Sequence, residues 1–298
     1  MVFVFNGRKR ALRIKEDLEE RLPKNGKKPV LEIVLIGSDP INEGYLRELQ
    51  KWATELGPAA KHPRGGRLER SKSHDSSGVE LFVKRFSNQA DLEKAASFIK
   101  KENENKKIDG LLILVSPNST LFKKREEIIN LVSLKKDIDF LRARLNTCEV
   151  APPEAGTPRR WIGIPSVCQA VLIAIQEASE ALSFNSQKVK VLIIGNQGFW
   201  GRRIQKTLTD QKFKNIFGVD QETNDLALVT READILISCV GKPRVIRKEM
   251  VKKGAAVIDI GGDVDFSKVK RVAGFITPVP GGIGPLATIL VFENFFNK

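Results

Sequence analysis

Histidine and cysteine are nearly absent from this sequence. Two histidines, His62 and His74, and three cysteines, Cys148, Cys168 and Cys239, are spread through 298 residues. Both histidines fall in a Gly/Ser/Arg-rich segment, which argues against a histidine-based mechanism. An odd and scattered set of cysteines excludes a disulfide framework and points to a reducing, cytoplasmic compartment. No His/Cys spacing suits zinc, so no metal is expected. No run of about 18 apolar residues occurs, so no membrane span is expected. The opening MVFVFNGRKR puts apolar residues before basic ones, the reverse of a secretory leader. Tyrosine occurs once, at Tyr45.

What is present is a basic, globular composition. Hydrophobic residues make up 41% and charged residues 29%, enough apolar content to build cores. The length fits two domains of roughly 150 residues each. Lys and Arg outnumber Asp and Glu by 50 to 36, a formal net charge of +14. Such a field attracts polyanions, from nucleotides and polycarboxylates to nucleic acid, or it reflects a lysine-rich solvated surface. The basic residues lie along the whole chain, with no compact tract interleaved with aromatics, so nucleic acid is not the expected partner.

Periodicity gives a helix over Arg8–Leu22, then a buried strand in Pro29–Gly37. Ser38 and Asp39 can cap the next helix, Pro40 pre-sets its first turn and Gly57 stops it. VELFVKRF, QADLEKAASFIKKEN and IDGLLILVSP read as strand, helix and strand, a run that implies a mainly parallel sheet. Pro63–Gly78 reads as a surface loop and Thr147–Pro165 as the domain junction. A helix over Ser166–Leu182 leads into KVKVLIIGNQGFWGRRIQKTLTD, a strand from Val189 to Ile194, a glycine loop and a helix over Arg202–Thr209. NIFGVD, ADILISCVG and GAAVIDIGG read as further strands. This is the rhythm of a doubly wound dinucleotide-binding fold.

The loop Gly195-Asn196-Gln197-Gly198-Phe199-Trp200-Gly201 departs from a strict G-x-G-x-x-G, yet the physics is shared. Glycine after a strand permits a tight turn, and glycine at the helix start permits close packing. The helix N-terminus then offers N–H groups to a pyrophosphate. Asp220 ends the next strand, where a carboxylate accepts hydrogen bonds from both ribose hydroxyls of NAD and repels the extra phosphate of NADP; alternatively it merely starts the turn DQET. Arg202 and Arg203 stand nearby and could neutralise a phosphate. Gly241 and the pair Gly261-Gly262 follow strands at the carboxyl edge, as room for a cofactor or as ordinary turn glycines.

Six stretches, TPVPGGIGP, DGLLILVSP, KKDID, ADILISCVGKP, VKKGAAVIDIGGDVDF and VLIGSDPINEGYLRELQKWATELG, occur in an order and spacing that resembles the methylenetetrahydrofolate dehydrogenase/cyclohydrolase family, from about Asn6 to Asn294. The resemblance implies an α/β chain of two domains with a cleft between them. A folate-binding domain would span 1–150 plus 284–298 and a Rossmann-like domain 151–283. It implies a homodimer in one-carbon metabolism. The implied activities are oxidation of methylene-tetrahydrofolate to methenyl-tetrahydrofolate with NAD or NADP, then hydrolysis to formyl-tetrahydrofolate.

The carry-over is uneven. The family's Tyr-x-x-x-Lys reads Tyr45 and Leu49, and leucine cannot move a proton or polarise water. Lys51 is the nearest candidate amine, although it lies about 200° round the helix from Leu49. Arg47 points elsewhere and is too basic to act as a base. The family's Gln-Leu-Pro reads Leu114-Val115-Ser116. Its pterin-binding aspartate maps to Asp139, without the glycine and histidine that usually follow. Pro280, Gly281, Gly282, Ile283 and Gly284 match the loop at the pterin. Gly195, Asn196, Gln197, Gly201, Asp220, Gln221, Gly241, Gly262 and Thr277 fall at cofactor positions. Asn196 stands where an arginine often meets the NADP phosphate, which with Asp220 leans towards NAD or a loosened site. The expectation is a dehydrogenase with weak or absent cyclohydrolase activity; the alternative is a silent relative that binds folate or nucleotide or serves as a partner subunit.

Overall fold

The computed structural model describes residues 2–22, 28–56, 78–142, 163–185, 188–220 and 223–298. The expected loop at 63–77, the junction at 147–162 and Gln221 lie outside them. In chain order the elements are β1 (Phe3–Val4), α1 (Gly7–Arg21), β2 (Val30–Ile36), α2 (Pro40–Glu55), β3 (Glu80–Phe86), α3 (Leu92–Glu104), β4 (Gly110–Val115), α4 (Arg125–Ile129) and α5 (Ser166–Leu182). They continue with β5 (Lys190–Ile194), α6 (Phe199–Asp210), β6 (Asn215–Val219), α7 (Leu226–Thr230), β7 (Ile235–Ser238), β8 (Ala256–Asp259), α8 (Phe266–Val269), β9 (Phe275–Ile276) and α9 (Ile283–Phe296). They fall into two compact units, one formed by Met1–Leu12 with Leu145–Leu290, the other by Arg13–Arg144 with Val291–Lys298.

The second unit holds a parallel sheet in the order β3-β2-β4. Strand β2, VLEIVLI, is buried at every position because it is flanked on both edges and covered on both faces. Asp39 caps α2 by accepting from the N–H groups of Ile41 and Asn42, a contact worth about 1 kcal/mol. At the far end of the chain, Phe295 packs beside Gly110, where an added Cβ would lie 2.8 Å from its ring.

The first unit holds a fully parallel six-stranded sheet in the order β1-β9-β8-β7-β5-β6. From β5 the chain goes to β6 on one side and then to β7, β8 and β9 on the other, so the order reverses between β5 and β7. In doubly wound sheets ligands bind at this reversal, outside the carboxyl ends of the strands. The register sets Ile194 beside both Val219 and Ser238, and Ser238 beside Asp259. The residues that follow, Gly195, Asp220, Cys239 and Ile260, therefore leave the sheet along one edge. Helix α5 runs over Ser166–Leu182 as its apolar pattern predicts and ends in left-handed Ser183. Helix α9 is apolar on all sides and correspondingly buried through most of its length.

Three details differ from the sequence expectation. Helix α6 begins at Phe199 rather than Arg202, so Gly201 lies inside its first turn. Strands β1 and β9, two residues each, lack the length that makes periodicity visible. Helices α4, α7 and α8, of four or five residues, are too short to show a helical repeat.

Candidate functional site

The carboxyl edge of the six-stranded sheet is built for close backbone approach. Gly195 takes φ +80°, and a Cβ there would lie 3.1 Å from the Cys239 carbonyl oxygen. Gly198 starts α6, and its N–H donates to the Gly195 carbonyl at 2.9 Å. No side chain caps this helix. A Cβ on Gly201 would sit 2.2 Å from that same carbonyl oxygen and 2.6 Å from the Asn196 Cα, both backbone atoms. Only glycine lets α6 run this close beneath the loop.

Asn196 turns its amide towards β6, where a Cβ on Gly218 would meet its Nδ2 at 1.9 Å. Gln197 is exposed. Asp220 follows β6 and closes a small turn. Its backbone N–H donates to Thr223 Oγ1 at 3.1 Å, and that hydroxyl stands 3.4 Å from Asp220 Oδ1. Turn residue and ribose ligand are compatible roles, since a carboxylate offers about four acceptor sites. Arg203 lays its guanidinium over the Phe199 ring, 3.7 Å from the centroid, and donates to the Phe199 carbonyl.

The loops after β7 and β8 face the glycine loop. Gly241 has φ +74° and open space where a Cβ would go. Gly261 does not: a Cβ there would meet Asp263 Oδ1 at 2.7 Å and the Gly241 nitrogen at 2.8 Å, so its smallness serves loop packing. Gly262 has φ +77° with Val279 near it. Burial pushes the Asp259 carboxyl up, against the lowering effect of backbone N–H donors from Asp263, Val264 and Gly262. Burial also pushes the Cys239 thiol up, which keeps it protonated and unreactive. Thr277 is buried; its Oγ1 accepts from the Asp259 N–H at 2.8 Å. Beyond it the Val279–Pro280 peptide is cis and Gly281 takes φ +106°. Gly282 is closed in on one side by the Pro278 carbonyl and on the other by α1, where a Cβ on Gly7 would lie 1.8 Å from the Gly282 oxygen. Pro280 and Gly284 are exposed, whereas Ile283 is buried.

In the three-stranded unit, α2 carries Tyr45, half-buried, and Leu49 one turn on, at 0% exposure. Lys51 is exposed, 3.8 Å from Glu55 and 5.3 Å from the centre of the Trp52 ring. Leu114 is half-buried near the end of β4. Asp139 is buried in a turn organised by its neighbour Asp137, whose carboxylate accepts the N–H groups of Leu141 and Arg142. Burial raises the Asp137 carboxyl, with those N–H donors opposing.

Asp263 was not visible from sequence as part of this edge. Its segment, GGDVDF, reads locally as a polar turn, and the contacts that matter come from residues more than twenty positions away.

A fully parallel sheet, an order reversal and a glycine cradle at the reversal define a dinucleotide-binding domain. Residues 168–298 match the family described as tetrahydrofolate dehydrogenase/cyclohydrolase, NAD(P)-binding domain. Similarity continues over the rest of the chain. It is 29% identical over 303 residues to the bifunctional protein FolD of Halothermothrix orenii, covering 98% of this chain and 95% of that protein. To the bifunctional protein FolD of Acholeplasma laidlawii it is 27% identical over 302 residues, covering 98% and 96%. Among solved structures, the Trypanosoma brucei methylenetetrahydrofolate dehydrogenase-cyclohydrolase, complexed with NADP cofactor and inhibitor, superposes with a TM-score of 0.76 at 22% identity over 99% of this chain and 96% of that one. The Campylobacter jejuni bifunctional enzyme FolD gives 0.74 at 23% identity over 100% and 98%. At these identities the solved structures establish the shared fold.

Proposed function

We propose that this chain is a methylenetetrahydrofolate dehydrogenase that uses a nicotinamide dinucleotide to oxidise methylene-tetrahydrofolate to methenyl-tetrahydrofolate. The observation that carries the reading is the glycine cradle at Gly195 and Gly201, built in the region that matches the NAD(P)-binding family. The bound dinucleotide supplies the hydride acceptor. The chain's own residues bind and orient. Gly195, Asn196, Gln197 and Gly201 would surround the pyrophosphate, Asp220 with Gln221 the ribose, and Gly241, Gly262 and Thr277 the nicotinamide end. Within the three-stranded unit, Tyr45 would lie against the pterin and Asp139 would accept from its amino group. Hydride transfer depends chiefly on positioning two bound molecules and needs no acid or base on the chain.

Hydrolysis of the methenyl product is different, because water must be activated. Leu49 and Leu114 stand where the family places its lysine and glutamine, and Lys51 stands with Glu55 and Trp52. The reading is a dehydrogenase with weak cyclohydrolase activity, NAD preferred, working as a cytoplasmic homodimer. The test is to mix purified protein with methylene-tetrahydrofolate and NAD or NADP and follow reduced-nicotinamide absorbance, then to add methenyl-tetrahydrofolate alone. Hydride transfer with NAD, and methenyl hydrolysis near the spontaneous rate, is the expected pair of results. Hydrolysis well above that rate defeats the second half.

A second reading has an observation of its own. With Leu49 wholly inside the fold, the chain could be a silent relative that only binds. Tight folate binding by calorimetry, with no absorbance change on adding either dinucleotide, would favour it.

A further inference from the structure

The segment after β7, Cys239 to Ile246, forms one side of the dinucleotide edge, and three of its backbone N–H groups, those of Val240, Lys242 and Ile246, are held by one residue of another loop. The Asp263 carboxylate has 0% exposure and takes three donors from this segment and the strand end before it. Its Oδ2 accepts from Ser238 Oγ at 2.6 Å and from the Val240 N–H at 2.8 Å, and its Oδ1 accepts from the Lys242 N–H at 2.8 Å. The segment's other end is tied to the same residue through the backbone, as the Ile246 N–H donates to the Asp263 carbonyl at 3.0 Å. Asp263 is itself fixed. Its N–H donates to Asp259 Oδ1 at 2.9 Å, the Gly262 and Val264 N–H groups donate to the same carboxylate, and the Asp259 N–H donates to Thr277 Oγ1. One line of hydrogen bonds thus joins the exits of β7, β8 and β9. It ends against the glycine loop, since the Cys239 carbonyl is the atom that a Cβ on Gly195 would touch.

We infer that Asp263 is a positioning residue for the dinucleotide: its buried carboxylate sets where Val240, Gly241 and Lys242 stand relative to the glycine loop. This rests on the dinucleotide reading given above. The chemistry requires a carboxylate. Two backbone N–H groups and a hydroxyl converge on it, and charge-assisted bonds of this kind are about twice as strong as neutral ones. Asparagine has the same shape but only one acceptor oxygen. Its amide nitrogen would point hydrogens at either the Val240 or the Lys242 N–H, leaving one partly buried donor without its acceptor.

The experiment compares wild type, Asp263→Asn and Ser238→Ala, the last removing one donor and sparing both backbone donors. Calorimetric titration with NAD and with a folate is paired with hydrogen–deuterium exchange of the ligand-free proteins. For Asp263→Asn the expected result is dinucleotide affinity weakened about tenfold or more. Folate affinity stays unchanged, and exchange is faster across 239–246 but not across 190–201. Ser238→Ala shows the same pattern at roughly a third of the effect or less, and it keeps the test open if the asparagine variant does not fold. Unaltered dinucleotide affinity in a folded variant, or loss of both ligands in parallel with melting temperature, overturns the inference. A wild type that binds no dinucleotide overturns instead the reading on which it rests.

Discussion

Gly201 limits what the loop after β5 can become. An alanine there places a methyl carbon 2.2 Å from the Gly195 carbonyl oxygen, and neither backbone atom can swing aside. Gly201→Ala is expected to lower stability by about 2 kcal/mol or more in urea unfolding and to abolish measurable dinucleotide binding. If Asp220 discriminates against the NADP phosphate as proposed, Asp220→Ser raises the ratio of NADP to NAD specificity constants; an unchanged ratio means that the carboxylate is not the discriminator. Leu49→Lys puts an amine at a position with 0% exposure. An ammonium there is expected to cost on the order of 2–4 kcal/mol, read as a fall in urea midpoint. These residues were singled out as candidates because glycine, a strand-end acid and a leucine in a polar stretch stand out in a string of letters. Asp263 was not, since its role lies in three partners that the string keeps far apart.

The long elements could be read because each carries its own signal: the apolar run of β2, interrupted only at Glu32, the Asp39-Pro40 start of α2, the apolar repeat of α5. Short ones such as β1, β9 and α8 exist because neighbours supply what their few residues cannot, a hydrogen-bonding edge or a loop to close. One element holds a surprise. Glu32 sits in the middle of β2 with only 9% exposure. Burial, then the nearby Glu102 carboxyl on α3, raise it to about 7, with Lys84 and Lys101 pulling the other way. The folded state therefore binds a proton that the unfolded chain, near 4.5, has already released. Stability attached to this group is whole below about 4.5 and declines as pH rises to about 7, by on the order of 1–3 kcal/mol. Glu32→Gln should flatten that decline and raise the urea midpoint at pH 8 relative to wild type, with little change at pH 4.5.

At the scale of the molecule, the chain does not divide at a single cut. The three-stranded unit takes its last eight residues, Val291–Lys298, from the far end of the sequence. There Phe295 packs beside Gly110, Arg21 donates to Asn297 and the Lys298 ammonium donates to the Asp137 carbonyl. A fragment covering 13–144 alone is expected to lack a cooperative urea transition, and joining 291–298 to it through a linker should restore one. Strand β1 poses the same problem in time. Phe3 and Val4 pair with Phe275 and Ile276, so these residues complete the sheet's edge with partners made about 270 positions later. At about 5–20 residues per second, they wait on the order of tens of seconds for a partner. During synthesis, then, the nascent chain carries an unpaired Phe-Val-Phe stretch, the kind of segment that holding chaperones are built to cover.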